Sequence, residues 1–273
     1  KGVYIPDNFK MGISAIEEIF NGKFGKANQI LIEDFIDGEE MSYFIISDGK
    51  HYKRFETAQD HKRVFERDKG KNTGGMGAYS PSRLINNDLD KKIIKKIIEP
   101  TLKGLEDLGV SYNGFLYAGL MIKDNEPYLI EYNVRMGDPE CQTILPKLET
   151  DLFEIIKSCD NQNLNSIDLK WSQNKSLSIV LCSDGYPDKF NNEIEIKNLK
   201  NLKIDHKKNE YIFHAGTKSI DGKIYSNGGR VVNFVVTSKD FKDARIRAID
   251  LIKRLNWGNG FYRKDIGHRV ISS

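Results

Sequence analysis

The most specific pattern in the chain is Glu131-Tyr132-Asn133-Val134-Arg135, which closes an apolar segment typical of a strand. Because side chains alternate across a strand, Glu131, Asn133 and Arg135 are predicted to share one face. A carboxylate and an amide supply the hard oxygen ligands that Mg²⁺ takes together with nucleotide phosphates, and a guanidinium can neutralise a transferring phosphoryl group. Taken alone, an ordinary strand end with a polar face toward water explains the same pattern.

A charged turn follows directly, with the sequence R-M-G-D-P-E from Arg135 to Glu140. Its glycine and proline fix the turn, and its charges leave the strand together. Asp138 is therefore a candidate site residue, although a plain charged turn accounts for part of the motif.

A second candidate region, residues 59–81, has little apolar periodicity and predicts a long exposed loop. It contains Q-D-H-K-R at 59–63 and N-T-G-G-M-G-A-Y-S-P at 72–81. Closely spaced glycines let backbone N–H groups turn onto an anion, and lysine and arginine supply charge, so the region favours phosphate binding. His61 could titrate near neutrality, but it has no nucleophile at a recognisable spacing and is interpreted as a loop histidine.

A third candidate is I-E-D-F-I-D-G-E-E at residues 32–40, where an apolar strand runs into a carboxylate cluster. Carboxylates can accept hydrogen bonds from an amino group or from ribose hydroxyls. An acidic turn is the alternative interpretation.

Apolar periodicity predicts helices at residues 12–20, 88–108, 151–159 and 241–255. It predicts strands at residues 29–35, 41–47, 51–58, 115–122, 128–133, 176–182, 211–215 and 230–237. Asp48-Gly49 favours a hairpin turn, and Pro100 interrupts the second helix. A polar stretch at 160–175 is interpreted as a linker. The chain is thus predicted to be α+β, with domains at 1–165 and 166–273.

The amino-acid composition argues against several classes of function. The 273 residues are 39% hydrophobic, which suffices for a sizeable core. With 42 Lys+Arg against 39 Asp+Glu, the chain is not predicted to bind nucleic acid. Three scattered cysteines, with no C-x-x-C pair, favour a reducing, cytoplasmic setting over disulfides or zinc. No apolar run is long enough to span a membrane.

Taken together and in order, these segments resemble the glycinamide ribonucleotide synthetase family of ATP-grasp enzymes, also called phosphoribosylamine–glycine ligases. The resemblance covers nearly the whole chain and extends to H-A-G-T-K, N-G-G-R-V and Y-R-K-D-I-G near its C-terminal end. It implies a partial ATP-grasp domain followed by a smaller α+β domain. It also implies ATP-dependent joining of glycine to 5-phosphoribosylamine through a glycyl phosphate, giving glycinamide ribonucleotide, ADP and phosphate in purine biosynthesis.

The resemblance assigns the nucleotide and metal residues by position. Glu33 and the backbone of Ile36 are expected to face adenine, with Glu40 at the ribose. Glu131 and Asn133 are expected to hold Mg²⁺ or Mn²⁺.

It likewise assigns the reacting groups. Arg135 is expected to stabilise the acyl-phosphate transition state, and Lys62 and Arg63 are expected to assist catalysis and orient substrate. The remaining substrate-binding residues are expected to be Asp60, Thr73, Gly75 and Asp138. Met136 stands where the family commonly has Phe or Leu, so the turn repacks but keeps its charges.

Two alternatives remain. Another ATP-grasp ligase, such as a carboxylase, would share the E-x-N-x-R strand, although not the combination of N-T-G-G-M-G-A-Y-S-P with R-M-G-D-P-E. A noncatalytic nucleotide-binding or assembly fragment is the second alternative.

Lys1-Gly2-Val3 resembles the end of the family's glycine-rich lid loop, so an N-terminal portion with the upstream ATP-grasp lysine is expected to be missing from this chain and to be its partner. Without that clamp on the phosphates, we expect the chain alone not to catalyse ligation. Glycine-dependent ADP release by the purified chain is the measurement, and robust release would contradict the expectation.

Overall fold

The computed structural model describes residues 3–271 and divides after Gly38 into two compact units. Lys1 and Gly2, part of the predicted lid-loop end, lie outside the described residues. The first unit contains helix α1 (Phe9–Phe20), which Asn8 caps by accepting a hydrogen bond from the N–H of Met11 at 3.0 Å. The predicted helix at 12–20 is confirmed.

The predicted strand at 29–35 is wrong, because the described part of this unit contains no regular strand. Leu31, Ile32 and Phe35 are largely exposed. An extended apolar segment becomes a strand only when a neighbour pairs with its backbone, and residues 29–35 pair with none in the described structure.

The second unit contains five helices and fourteen strands among its described residues. The helices are α2 (Asn87–Ile93), α3 (Glu99–Asp107), α4 (Glu140–Ile144), α5 (Leu152–Asp160) and α6 (Phe241–Leu255). The strands are β1 (Glu39–Asp48), β2 (Tyr52–Arg54), β3 (Gln59–Asp60), β4 (Arg63–Phe65), β5 (Lys69–Asn72), β6 (Gly77–Ser80), β7 (Asn113–Lys123), β8 (Glu126–Asn133), β9 (Lys175–Ser183), β10 (Glu210–His214), β11 (Thr217–Ile220), β12 (Lys223–Ser226), β13 (Arg230–Ser238) and β14 (Gly260–Phe261).

A four-stranded antiparallel sheet has the order β2-β1-β7-β8. The predicted hairpin at Asp48-Gly49 is confirmed, although β2 is shorter than the predicted strand, and the predicted strands at 115–122 and 128–133 form a second antiparallel pair, β7 and β8. Asp48 closes the first turn by accepting hydrogen bonds from the N–H groups of Lys50 at 2.8 Å and His51 at 2.6 Å. Helices α2 and α3 are separated by a π-helical turn, Ile94–Ile98, just before Pro100, as the sequence predicts. Burial of Leu89 and Ile93 attaches this helical segment to the sheet.

A second sheet has the order β10-β13-β9-β6-β3, with β14 also paired to β9. It joins strands from residues 59–80 to strands that follow residue 174, and Met76, Ala78 and Tyr79 are fully buried. The predicted exposed loop at 59–81 is therefore wrong. Four-residue strands are too short to show a clear period in the sequence.

Helix α6 packs on one face of this second sheet. Asp240 caps the helix by accepting a hydrogen bond from the N–H of Asp243 at 2.8 Å, and Asn256 ends it in a left-handed conformation. The predicted apolar stripe is buried, and its members are Ala244, Ala248, Leu251, Ile252 and Leu255. None of the helices in residues 3–271 combines the length and apolar character that a bilayer span needs.

Leu251→Ala should lower the free energy of unfolding by about 3 kcal/mol, because Leu251 is fully buried and its removal leaves a cavity. Chemical denaturation provides the measurement. The matched control is Ile246→Ala on the exposed side of the same helix, which should change stability by no more than about 0.5 kcal/mol. Equal losses in the two variants would contradict the packing described for α6.

Candidate active site

The end of strand β8 brings Glu131 and Asn133 together. The Asn133 side-chain amide donates a hydrogen bond to the Glu131 carboxylate at 3.2 Å. Gly119 lies opposite Glu131 on β7, and a Cβ at that position would approach Glu131 Cγ to 3.3 Å. The neighbouring strand therefore leaves room for the carboxylate.

These two residues fit a divalent metal that also binds phosphates. Glu131 is exposed and Asn133 is half-buried, so their oxygens are open to a ligand. Across residues 3–271, no cluster of three or more His, Cys, Asp or Glu side chains could hold a metal by itself. Mg²⁺ usually takes one or two protein oxygens and completes its shell with water and phosphate, which this donor pair allows.

Arg135 lies beyond the last residue of β8, so the alternation argument covers Glu131 and Asn133 only. Its side chain is exposed and donates a hydrogen bond to the Met136 carbonyl at 3.0 Å. The guanidinium is thus at the surface beside the strand end, where its catalytic role stays a prediction.

Lys62 is surrounded by carboxylates from separate segments. It forms an ion pair with Glu40, which joins a predicted ribose-binding residue to a predicted catalytic one. Burial lowers the pKa of Lys62, but the charges of Glu40, Asp60 and Glu131 outweigh burial and raise it above its ordinary value. Lys62 therefore stays protonated at neutral pH.

One carboxylate oxygen of Asp60 receives no hydrogen bond within residues 3–271. Its Oδ1 is shielded from solvent and has no hydrogen-bond partner among the described residues. Burial, and then the negative charge of Glu140, raise the pKa of Asp60 well above its ordinary value. Glu140 is itself buried and accepts hydrogen bonds from the hydroxyls of Ser42 at 2.8 Å and Tyr117 at 3.1 Å.

The glycine loop at 73–75 is shaped by its own hydrogen bonds. The Thr73 hydroxyl donates to the Lys62 carbonyl at 2.8 Å and accepts from the Gly75 N–H at 3.0 Å. Gly75 has a φ of 115°, and a Cβ there would lie 2.6 Å from Pro139 Cδ and 2.7 Å from Asp60 Oδ1. Glycine is required because the loop lies directly against the turn at 135–140.

Arg230, which has no predicted role, joins the same two segments. Its Nη1 donates to the carbonyls of Gly74 and Asp138, both at 2.6 Å, and its Nη2 lies 3.3 Å from Asp138 Oδ2. The one available signal was an arginine between two glycines and an apolar strand in N-G-G-R-V.

A second missed residue, Arg263, anchors the hairpin that follows Lys62. Arg263 is 1% exposed and makes two 2.8 Å hydrogen bonds to Asp265 and one of 2.9 Å to Asp68. It also donates to the Arg63 carbonyl at 2.9 Å. The Arg63 side chain donates to the Gly70 carbonyl at 2.8 Å, within its own hairpin.

His61 is not an exposed loop histidine. It is 1% exposed, and burial followed by the charge of Arg263 lowers its pKa to about 3. Its Nε2 accepts a hydrogen bond from the Gly267 N–H at 3.2 Å, which requires the neutral ring. The expectation that His61 titrates near neutrality is wrong, because the surrounding strands exclude water from it.

Glu33 and Ile36 belong to the first compact unit, where Glu33 is exposed and Ile36 is half-buried. Their assignment to adenine stays a prediction. The second unit brings together the other substrate and metal candidates around Lys62 and the turn at 135–140.

An antiparallel sheet that ends in adjacent carboxylate and amide groups, beside a lysine with carboxylates around it, is the arrangement expected of an ATP-grasp protein. Comparison with known families agrees. The family model described as "Phosphoribosylglycinamide synthetase, ATP-grasp (A) domain" matches residues 1–141, and "Phosphoribosylglycinamide synthetase, C domain" matches residues 176–269. The chain belongs to the phosphoribosylglycinamide synthetase family.

Individual proteins give the same result. Phosphoribosylamine–glycine ligase of Brucella melitensis is 40% identical over 273 residues, covering 99% of this chain and 63% of that protein. The ligase of Vibrio parahaemolyticus is 41% identical, covering 100% of this chain and 63% of that protein. The crystal structure of the Thermotoga maritima ligase superposes with a TM-score of 0.86 at 32% identity, covering 97% of this chain and 66% of that one. The chain thus spans slightly less than two thirds of the length of these relatives.

Asp68→Asn should reduce stability by about 2 kcal/mol at pH 6 and by progressively less as the pH falls from about 4 to 2. Burial opposes ionisation, but hydrogen bonds from Arg263 and Arg269 lower the pKa of Asp68 to about 2. A lowered pKa contributes stability above the unfolded-state value, near 4, and that stability is lost as pH falls through the folded-state value.

Urea unfolding across this pH range measures the difference between wild type and Asp68→Asn. Asp188→Asn is the control, since Asp188 forms an exposed ion pair with Lys71 at 2.8 Å and should show little change at any pH. A pH-independent loss in Asp68→Asn would contradict the electrostatic role of the anchor.

Proposed function

We propose that this chain supplies the metal, nucleotide and amine-binding groups for ATP-dependent ligation of glycine to 5-phosphoribosylamine in purine biosynthesis. The observation that carries the proposal is the convergence of carboxylates on Lys62. Glu40 comes from β1, Asp60 from β3 and Glu131 from β8, and all three raise the lysine's pKa. A fixed cation at the meeting point of the three segments suits the negative charge of transferring phosphoryl and acyl-phosphate groups.

The nucleotide half of the site follows from the strand end. Glu131 and Asn133 would hold Mg²⁺ or Mn²⁺, which would supply positive charge to neutralise the nucleotide phosphates. Glu40 would meet the ribose hydroxyls of ATP as an acceptor, while Glu33 and the Ile36 backbone would meet adenine. Family membership supports ATP use and a divalent metal, and the donor pair at the end of β8 supports the position of that metal.

The half of the site that would bind glycine and phosphoribosylamine is centred on Asp60. Its buried, unpartnered Oδ1 would accept a hydrogen bond from the amino group of glycine or phosphoribosylamine. Lys62 and Arg63 would orient phosphate-bearing substrate, and the loop with Thr73 and Gly75 would line the opposite wall. Asp138, held by Arg230, would complete that wall.

Within this arrangement the glycine carboxylate would take the γ-phosphoryl group of ATP and release ADP. The phosphoribosylamine nitrogen would then attack the glycyl carbonyl carbon, forming the amide bond as phosphate leaves. Arg135 and Lys62 are the cations available to stabilise the negative charge that develops in both steps. The ligase reaction itself is proposed for the complete enzyme, in a cytoplasmic setting, with the N-terminal portion as the partner of this chain.

Glu131→Ala should weaken binding of Mg²⁺–ATP by at least about tenfold, because it removes the charged ligand of the metal pair. Arg135→Ala should leave that affinity nearly unchanged and chiefly lower turnover. Isothermal titration and Mn²⁺ electron paramagnetic resonance measure binding. Turnover is measured after joining the chain to the N-terminal part of a relative.

Glu126→Ala is the matched control for Glu131→Ala. Glu126 lies on the same strand but pairs with Lys96 at 2.6 Å, and its loss should not affect metal or nucleotide binding. Unchanged binding in Glu131→Ala and unchanged turnover in Arg135→Ala would overturn the assignment. A noncatalytic fragment would instead show binding but no ligation in the joined protein.

A further inference from the structure

Arg230 occupies an unusual position between two site segments. A single nitrogen, Nη1, donates to the carbonyl of Gly74 in the glycine loop and to the carbonyl of Asp138 in the charged turn, each at 2.6 Å. Nη2 adds an ion pair with the Asp138 carboxylate at 3.3 Å. The guanidinium therefore fixes the distance between two segments that are remote in sequence.

The sheet holds Arg230 in place. Its own carbonyl accepts a hydrogen bond from the Gly216 N–H at 2.9 Å, and it pairs across the sheet with Cys182. The Gly74 N–H donates to the Tyr186 hydroxyl at 2.9 Å, so both backbone groups of Gly74 are held by residues of the C-terminal part. A Cβ on Gly74 would lie 2.9 Å from Arg230 Cζ, so a larger residue there would displace the guanidinium.

The two segments that Arg230 joins carry predicted substrate residues on both sides. Thr73 and Gly75 flank Gly74 directly, and Gly75 lies close to both Asp60 and Pro139. A shift of the loop by an ångström would move the Gly75 N–H and the wall next to Asp60. Displacements of this size weaken ligand binding substantially when a site depends on fixed geometry.

We infer that Arg230 is a positioning residue: through Gly74 and Asp138 it sets the spacing between the glycine loop and the charged turn, and so the width of the site for the phosphoribosyl substrate. The substrate named here rests on the proposed function. The positioning role of Arg230 itself rests on the three contacts of its guanidinium. Lysine cannot replace it, because a single ammonium lacks the planar fork that contacts all three acceptors.

The experiment compares Arg230→Ala and Arg230→Lys with wild type in the full chain. Arg247→Ala is the matched control, because Arg247 is similarly exposed, 25% against 21% for Arg230, and pairs with Glu210 and Asp243 away from the site. Hydrogen–deuterium exchange at residues 73–76 reports the loop. Titrations with glycinamide ribonucleotide and, separately, with Mg²⁺–ATP report the two halves of the site.

For Arg230→Ala we expect amide exchange at residues 74–75 to accelerate about tenfold and affinity for glycinamide ribonucleotide to fall about tenfold. Binding of Mg²⁺–ATP should stay within about twofold, which a general loss of structure would not allow. Millimolar guanidinium should restore part of the lost affinity, and Arg230→Lys should recover less than half of it. Arg247→Ala should behave as wild type in every measurement.

Unchanged exchange and unchanged ribonucleotide affinity in Arg230→Ala would overturn the inference while leaving the proposed function intact. Equal loss of both ligands, with no rescue by guanidinium, would also overturn it, since that outcome describes a purely structural arginine. If wild type binds no glycinamide ribonucleotide, the substrate assignment in the proposed function is wrong. Faster amide exchange in Arg230→Ala would then still support the positioning role of Arg230.

Discussion

Backbone pairing between β6 and β9 connects the site to the core. Gly77 to Ser80 pair with Ile179 to Ser176, and the Val180 N–H also donates to the Met76 carbonyl at 3.0 Å. The segment between Gln59 and Ser80 is thereby built into the central sheet of the C-terminal part. Its glycine loop and Lys62 project from a buried strand pair and do not depend on a free loop for their position.

This anchoring explains how closely spaced charges are tolerated. Asp60, Lys62 and Glu40 lie near one another, and both carboxylates raise the pKa of the lysine. Asp60 Oδ1 is shielded from solvent, and an uncompensated charge there would be costly, so the segments must meet in one fixed register. The register of β6 on β9, together with that of β1 on β7, supplies it.

The sequence predicted the parts of the molecule whose signal is local. Alternation along β8 identified Glu131 and Asn133 as neighbours, and the apolar stripe of α6 was found because fifteen residues show a clear helical period. The strands within 59–81 were missed because each has four residues or fewer, and the buried strand among them, β6, gains its burial through β9, far along the chain. His61 was misjudged for the same reason.

The roles of Arg230 and Arg263 could not be predicted from the sequence for a different physical reason. Their partners are mostly backbone carbonyls and acidic side chains at long sequence separation. They hold the same region from opposite ends: Arg263 binds the carbonyl of Arg63, and Arg230 binds the carbonyl of Gly74. The segment between these carbonyls contains the hairpin of β4 and β5, which is partly exposed. Both ends of this segment are thus fixed to residues of the C-terminal part, which holds Lys62 and the glycine loop in place. The C-terminal part therefore forms part of the frame of the candidate site.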